Sequence, residues 1–220
     1  MNMAKWQLAG FAGAATLVIA CAALAQNRDA ALGKRATLMK KLETAMGQKA
    51  DLPPSDGMFL KIMAESTKAK RVLDIGSSNG YPALWLGQAL ERTGGRLWTI
   101  EIDAGRAREC RQNIKEAGLD PVVTCVEGDA MQEIPKLDGP FDLVFINAWK
   151  KDYKRYLDLV SDKVPPGGVI IAHNTIESAA DMKDYLEAVN NSPAFDSVTL
   201  STVPNKGITV SYKNKARKAE

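Results

Sequence analysis

Short apolar runs separated by amphipathic stretches constrain the fold of this chain more than any other feature. The runs Leu143-Val-Phe-Ile146 and Val169-Ile-Ile-Ala172 are apolar at every position, which is typical of strands buried on both faces of a parallel sheet. Alternation of such strands with helical patterns predicts an α/β fold with a doubly wound, mostly parallel sheet and right-handed crossovers. The predicted strands are Arg71–Ile75, Arg96–Ile102, Val122–Glu127, Phe141–Asn147 and Val169–His173.

The C-terminal part of the chain departs from this alternation. Residues Ser197–Val203 and Ile208–Lys213 flank the turn sequence Pro204-Asn-Lys-Gly207, which predicts an antiparallel hairpin and brings the sheet to seven strands. Residues 27–48 are rich in helix-forming residues and predict a surface or leader helix, whereas the two prolines and the glycine in residues 51–57 predict a loop. The remaining predicted helices are Tyr81–Arg92, Ala104–Ala117, Tyr153–Asp162 and Glu177–Asn190.

The N-terminus carries an uncharged apolar segment that suggests targeting or anchoring. Lys5 precedes this segment and Ala23-Leu-Ala25 forms a small-residue cleavage site, so residues 1–25 predict a secretory signal peptide and an exported, periplasmic chain. Val18-Ile-Ala-Cys21 also resembles a lipoprotein cleavage box, with Cys21 as the point of lipid attachment. A third interpretation keeps residues 6–25 as a membrane helix, and the basic residues after it would then hold the domain in the cytoplasm.

The rest of the 220-residue chain has the size of a single domain. We divide it into a helical leader over residues 26–53, one domain over 54–213, and a solvated basic tail over 214–220. Lys plus Arg is 29 and Asp plus Glu is 26, a balance too even to indicate a nucleic-acid partner. The single histidine, His173, excludes sites built from several imidazoles, and three cysteines are too few for a disulfide scaffold.

The turns after the first three strands predict a nucleotide site. Ligands of doubly wound sheets bind beyond the carboxyl ends of the strands, where Gly76 and Gly80 let the backbone turn tightly. Their G-x-x-x-G spacing lacks the pattern that binds a pyrophosphate, which favours a nucleotide without one. Glu101 ends the second strand, where a carboxylate accepts hydrogen bonds from ribose hydroxyls, and Asp129 follows the third strand, within reach of an adenine amino group.

Taken together, six motifs between Pro54 and Val210 resemble the S-adenosylmethionine-dependent O-methyltransferases of the catechol and caffeoyl-CoA type. The motifs are SDGMFL from residue 55, VLDIGSSNGYPAL from 72, TIEID from 99, EGDA from 127, FDLVFINAWKKDYKRYL from 141 and PPGGVIIAHN from 165. The resemblance implies the Rossmann-like fold of class I methyltransferases, S-adenosylmethionine as cofactor and a small phenolic or catechol-like hydroxyl acceptor.

The resemblance also implies which residues bind the cofactor. It places Asp74 near the amino acid moiety, Glu101 at the ribose, and Asp129 with Ala130 at the adenine. One departure is Pro82, where the family usually has a serine that helps to hold the cofactor carboxylate; the backbone at Ser77 and Tyr81 still offers contacts there. The full set is Asp74, Gly76, Ser77, Gly80, Tyr81, Glu101, Asp129, Ala130 and Asn147.

A second departure concerns the metal. Members of the resembled family hold a divalent cation with an Asp after the fourth strand and an Asp-Asn pair ending the fifth. This chain has Asn147 and the pair His173-Asn174 at those positions. Two anionic ligands are therefore missing, and Mg²⁺ is not expected to bind. The imidazole of His173 would suit a softer ion such as Zn²⁺.

The resemblance and the chemistry of the strand ends also suggest catalytic residues. Lys150 matches the general base of the catechol-type enzymes, and His173 is a second candidate for a base or a substrate contact. Trp149 would form a wall for a planar acceptor, with Asn174 beside it. The plainer alternatives are a surface lysine for Lys150, a polar strand end for His173 and a packing residue for Trp149.

Two functions therefore remain open on the sequence. The first is a small-molecule O-methyltransferase that does not depend on Mg²⁺. The alternative is an exported or anchored, catalytically inactive module that keeps only the nucleotide pocket, since S-adenosylmethionine is a cytoplasmic metabolite and a signal peptide points outward. A homodimer is compatible with either function.

Overall fold

The computed structural model describes residue 26 and residues 29–45 and 52–215. The predicted signal segment 1–25, including Cys21, lies outside the described residues, as does most of the predicted basic tail. Location and membrane association thus stay predictions from the sequence. Within the described ranges, no helix is both long enough and apolar enough to cross a membrane.

Seven strands form one sheet in the order β3-β2-β1-β4-β5-β7-β6. The strands are β1 (Arg71–Ile75), β2 (Arg96–Glu101), β3 (Val123–Glu127), β4 (Leu143–Ile146), β5 (Val169–His173), β6 (Phe195–Val203) and β7 (Lys206–Lys213). The first five are parallel, and β7 runs antiparallel to both β5 and β6. The predicted α/β fold and its C-terminal hairpin are confirmed. The order reverses between β1 and β4, and such a switch point opens a crevice at the carboxyl edge.

Helices cover both faces of the sheet and bury two separate apolar clusters against it. The helices are α1 (29–45), α2 (Pro54–Ser66), α3 (Tyr81–Thr93), α4 (Ala104–Glu116), α5 (Ala130–Glu133), α6 (Tyr153–Ser161) and α7 (Lys183–Asn190), with 3₁₀ turns at Ile134–Lys136 and Lys150–Asp152. The cluster on one face includes residues of α1 to α4, and that on the other includes residues of α5 to α7.

The loop predicted for residues 51–57 is wrong in its second half, because α2 begins at Pro54. A proline in the first turn of a helix loses nothing, since its missing N–H would have had no partner within the helix. Gly57 follows inside the helix, and a Cβ atom there would lie 2.2 Å from Nε1 of Trp85. The glycine thus reflects close packing of α2 on α3 rather than a turn, and Asp56 is fixed in the first helical turn.

The helix predicted over Glu177–Asn190 is also too long, since α7 begins only at Lys183. The preceding residues form successive turns after Asn174, which has a positive φ of 63°. The N–H of Ser178 donates to the carbonyl of Asn174, and the N–H of Asp181 donates to the carbonyl of Ser178. These turns replace the first part of the predicted helix.

Helix α1 is docked onto the domain rather than lying on its surface. Leu38, Met39 and Leu42 are buried in the larger apolar cluster. Arg35 is buried as well; its two terminal nitrogens contact the carboxylate of Glu91 at 2.6 and 3.0 Å, and Nε donates to the carbonyl of Ala117. The predicted helix is confirmed over residues 29–45, and its inner face is part of the core. The predicted domain boundaries stay a prediction.

This packing predicts the effect of truncating α1 side chains. Leu38 is 2% exposed and Leu32, on the same helix, is 44% exposed. We expect Leu38→Ala to lower the free energy of unfolding by about 2–4 kcal/mol, because it leaves a cavity in the core. Leu32→Ala is the matched control and should change it by less than about 0.5 kcal/mol. Urea unfolding measures both, and equal effects would contradict the docking of α1.

Candidate functional site

A cavity of about 700 Å³ lies at the carboxyl ends of β1, β2 and β4, at the switch point of the sheet. Eight of the residues predicted for the site line this cavity: Gly76, Glu101, Asp129, Ala130, Asn147, Trp149, Lys150 and Asn174. The other five do not belong to its lining: Asp74, Ser77, Gly80, Tyr81 and His173. Of these, Asp74, Ser77 and His173 are fully buried, so they can support the site but do not form its surface.

The glycine loop is held against the end of β4. Gly76 has a φ of +94°, and a Cβ atom at this position would lie 2.4 Å from the carbonyl oxygen of Asn147. Only glycine fits this contact and this backbone conformation. Gly80, with a φ of +89°, caps α3, and the space beside it is taken by Sγ of Cys110, 2.9 Å from where a Cβ would stand.

Glu101 connects the glycine loop to the end of β2. One carboxylate oxygen accepts the N–H of Ser78 at 2.7 Å, and the other accepts the N–H of Asp103 at 3.0 Å. Each carboxylate oxygen can accept a second hydrogen bond, and Glu101 lines the cavity. The side chain is thus preorganised to accept two vicinal hydroxyls. Asp129 is fixed in the same way, since its carboxylate accepts the N–H of Met131 at 2.9 Å.

Asp74 is a carboxyl group without contact to water. It accepts a hydrogen bond from the Thr99 hydroxyl through Oδ2, and its Oδ1 has no hydrogen-bond partner among the described residues. Burial raises the pKa of Asp74 to about 7, and the nearby carboxylate of Glu101 adds to the rise. Asp74 is therefore poised to gain a cationic or N–H partner at the floor of the glycine loop.

Lys150 is held at the cavity wall by two oxygen atoms. Its Nζ donates to Oδ1 of Asn147 at 3.2 Å and to Oη of Tyr153 at 3.0 Å. The phenol of Tyr153 lies 3.2 Å from the carbonyl oxygens of both Ile146 and His173, and burial raises its pKa well above the ordinary value. Tyr153 therefore keeps its proton, donates it to a carbonyl and accepts from Lys150. This geometry differs from that of a mobile surface lysine.

His173 lies directly behind this wall, fully buried. Its Nε2 is 2.8 Å from Oδ2 of Asp56, and its Nδ1 is 3.4 Å from Oδ1 of Asn147. Asp56 is a functional candidate that the sequence reasoning missed. It stands in the motif SDGMFL, where the prolines and the glycine predict a loop. Burial raises the pKa of Asp56, yet hydrogen bonds from His173 and Thr202 outweigh this and leave the pKa below its ordinary value.

These contacts do not fit a Mg²⁺ ion at the positions that bind metal in the resembled family. Oδ1 of Asn147 already accepts from Lys150, and the ring of His173 is engaged at both nitrogens. Nδ2 of Asn174 donates to Glu177, and its Oδ1, which has no hydrogen-bond partner among the described residues, offers only a neutral oxygen. Over the described ranges there is also no group of three or more His, Cys, Asp or Glu side chains that could hold a metal ion; the softer ion suggested for His173 stays a prediction.

Comparison with known proteins identifies the family. The model of a family described as O-methyltransferase matches residues 30–190. The chain belongs to this O-methyltransferase family. It is 32% identical over 180 residues to a catechol O-methyltransferase of Mycobacterium tuberculosis, covering 74% of this chain and 81% of that protein. It is 37% identical over 127 residues to a catechol O-methyltransferase of Niastella koreensis, covering 56% of this chain and only 57% of that protein.

A solved O-methyltransferase also shares the fold. The structure of an O-methyltransferase from Bacillus cereus in complex with SAH, the demethylated product of S-adenosylmethionine, superposes with a TM-score of 0.72. It is 26% identical, and the match covers 82% of this chain and 91% of that one. The class I fold is thereby confirmed, and the SAH in that structure agrees with the predicted S-adenosylmethionine cofactor, while the roles of individual residues stay predictions.

The buried carboxyl of Asp74 predicts a pH-dependent stability of this O-methyltransferase. Since its pKa rises from 3.8 to about 7 on folding, the folded protein loses stability as the pH rises from about 4 to about 7. Asp74→Asn should therefore stabilise the cofactor-free protein, with a gain that is small near pH 4 and reaches at most about 4 kcal/mol above pH 7.

Urea unfolding across this pH range measures the gain. The exposed Asp120 supplies the control Asp120→Asn, which should change stability by less than about 0.5 kcal/mol at each pH. A gain from Asp74→Asn that stays constant between pH 4 and 7 would contradict the raised pKa.

Proposed function

We propose that this O-methyltransferase moves the methyl group of S-adenosylmethionine to a hydroxyl of a small planar acceptor, phenolic or catechol-like, without Mg²⁺. The observation that carries the proposal is the position of Lys150. Its Nζ lines the cofactor cavity and is held by Asn147 and Tyr153, at the edge where the resembled enzymes place the reacting hydroxyl. The catechol O-methyltransferases among the relatives support this class of acceptor.

The residues around the cavity fit the cofactor. Glu101 would accept the two ribose hydroxyls, and Asp129 with Ala130 would contact the adenine, at the far end from Lys150. The close approach of Gly76 to the β4 end lets a ligand lie along the backbone, and the unpartnered oxygen of Asp74 lies beneath the same loop. When bound, S-adenosylmethionine supplies a methyl group on a sulfonium, which an acceptor oxygen can displace.

Lys150 would take the proton of the acceptor hydroxyl. The hydrogen bonds from its Nζ to Asn147 and Tyr153 are both N–H donations, and a neutral amine can make both, because it has two N–H bonds as well as the lone pair that accepts a proton. Fixing this nitrogen in advance avoids much of the entropic cost of bringing base and hydroxyl together. His173 is buried behind Asn147, so we assign it no direct contact with the acceptor.

Trp149 and Asn174 would shape the acceptor site. Trp149 lines the cavity and is 67% exposed, an unusual position for a large aromatic side chain unless a ligand covers it. A planar aromatic acceptor can stack on an indole, whereas an aliphatic alcohol gains little from it. Asn174 on the opposite loop offers an amide to a second hydroxyl, which favours a catechol over a simple phenol.

Cofactor binding tests the nucleotide half of the proposal. We expect Glu101→Gln to weaken SAH binding by about 10- to 100-fold, because a neutral amide replaces a charged acceptor of two hydrogen bonds. Glu127→Gln is the matched control, since Glu127 is the register partner of Glu101 on β3 and does not line the cavity. Titration calorimetry measures both. Equal affinities for the two variants would contradict the ribose role of Glu101.

Methyl transfer tests the catalytic half. With S-adenosylmethionine and a catechol, we expect a monomethyl ether to form at the same rate with and without a chelator. Lys150→Met should lower kcat by about 100-fold or more while SAH binding stays unchanged, and Lys151→Met, at an exposed neighbouring position, should be neutral.

The double variant N147D/H173D should gain Mg²⁺ binding.

The outcomes separate the two functions that the sequence left open. Activity that a chelator abolishes and Mg²⁺ restores would contradict the metal-free proposal. SAH binding without methyl transfer to any phenol or catechol would instead support the inactive nucleotide-binding module. A homodimer stays a prediction from the sequence.

A further inference from the structure

A chain of polar contacts runs from the edge of the sheet, through the buried side chains of Asp56 and His173, to the cavity wall. It begins at Thr202 on β6, whose hydroxyl donates to Oδ1 of Asp56, and continues from Oδ2 of Asp56 to Nε2 of His173 at 2.8 Å. From Nδ1 of His173 it passes to Oδ1 of Asn147 at 3.4 Å, and this same oxygen accepts from Lys150. We call these five residues the polar chain.

Each ring nitrogen of His173 faces an oxygen atom. Lys150 donates to Oδ1 of Asn147, so the amide is oriented with its oxygen toward both Lys150 and Nδ1 of His173. On the other side of the ring, Nε2 faces the carboxylate of Asp56. Both neighbours of the ring are hydrogen-bond acceptors, and only an imidazolium carries an N–H on each nitrogen. The carboxylate of Asp56 compensates the buried positive charge.

We infer that Asp56 holds His173 as a buried imidazolium, which takes the place of the family's metal ion and, through Asn147, positions Lys150 at the cavity wall. The part of this inference that concerns catalysis rests on the proposed function of Lys150. His173 and Asp56 are positioning residues, because neither is exposed to the cavity. Asp56 thus belongs to the functional machinery although its α2 position is far from the strand ends in sequence.

The Asp56–His173 pair would act on methyl transfer through its electric field at the acceptor oxygen. A divalent cation would bring positive charge to an acceptor oxygen that becomes more negative as its proton leaves. The Asp56–His173 pair is neutral as a whole, but its positive end faces Asn147 and the cavity wall, and the low polarity of the buried surroundings strengthens the field of this oriented pair. The ring is locked by two hydrogen bonds, so no reorganisation is needed during the reaction.

The single histidine allows a direct test by NMR. The full chain is labelled with ¹⁵N-histidine and carries no histidine tag, so that every imidazole signal belongs to His173. At pH 7.5 we expect two protonated ring nitrogens in the unmodified protein. We expect one unprotonated nitrogen in Asp56→Asn, because the variant lacks the compensating carboxylate. A neutral ring in the unmodified protein would overturn the inference, and this measurement requires no variant to fold.

Kinetics test whether the pair acts on catalysis. We expect Asp56→Asn to lower kcat for a catechol by about 10- to 100-fold, the range typical of residues that orient a reacting group, with SAH affinity unchanged within about twofold. Asp158→Asn is the control, since its side chain is 60% exposed on α6, and it should keep both values. An unchanged kcat in a folded Asp56→Asn protein would overturn the positioning role.

The two measurements distinguish this inference from the proposed function. If the unmodified protein transfers no methyl group but its histidine is an imidazolium, the proposed function is wrong and the assignment of the charge stands. If methyl transfer occurs but the histidine is neutral, the proposed function stands and the inference is wrong.

Discussion

The contact between the backbone of Gly76 and the carbonyl of Asn147 is the constraint on which the site depends. The loops after β1 and β4 meet there without room for a Cβ atom, so the two halves of the cavity are fixed relative to each other. On one side of this contact lie the glycine loop and Glu101, which suit a nucleoside. On the other side lie Asn147 and Lys150, which suit a reacting hydroxyl. A shift of either loop would separate the cofactor half from the catalytic half.

The strand ends of this fold could be predicted because their signals are local. Buried parallel strands require nearly continuous apolar residues, and β4 and β5 follow this pattern at every residue apart from the terminal His173. The turn after β1 needs glycine where the backbone is left-handed or crowded, so Gly76 and Gly80 could be predicted as turn residues, although only Gly76 lines the cavity. Glu101 was recognisable because the carboxyl end of the neighbouring strand lies at the same edge.

Helix α2 and Asp56 could not be predicted in the same way. Two prolines and a glycine close together normally indicate a loop, but Pro54 opens the helix and Gly57 makes room for the indole of Trp85. Both are consequences of tertiary packing that no local pattern contains. The pairing of Asp56 with His173 joins residues 117 positions apart. The sequence reasoning recognised that the metal carboxylates are missing, but a side chain from another element provides the compensating contact.

The polar chain starts on β6, an edge strand of the sheet, and this has a consequence for the dynamics of the protein. One side of β6 pairs with β7, and this pairing is irregular between Leu200 and Val203, next to Thr202. Edge strands with irregular pairing open more often than central strands. Each opening of the hairpin end would release Asp56 from Thr202 while leaving the parallel core intact. We therefore expect the amide protons of the hairpin end to exchange faster than those of the central strands β1 and β4.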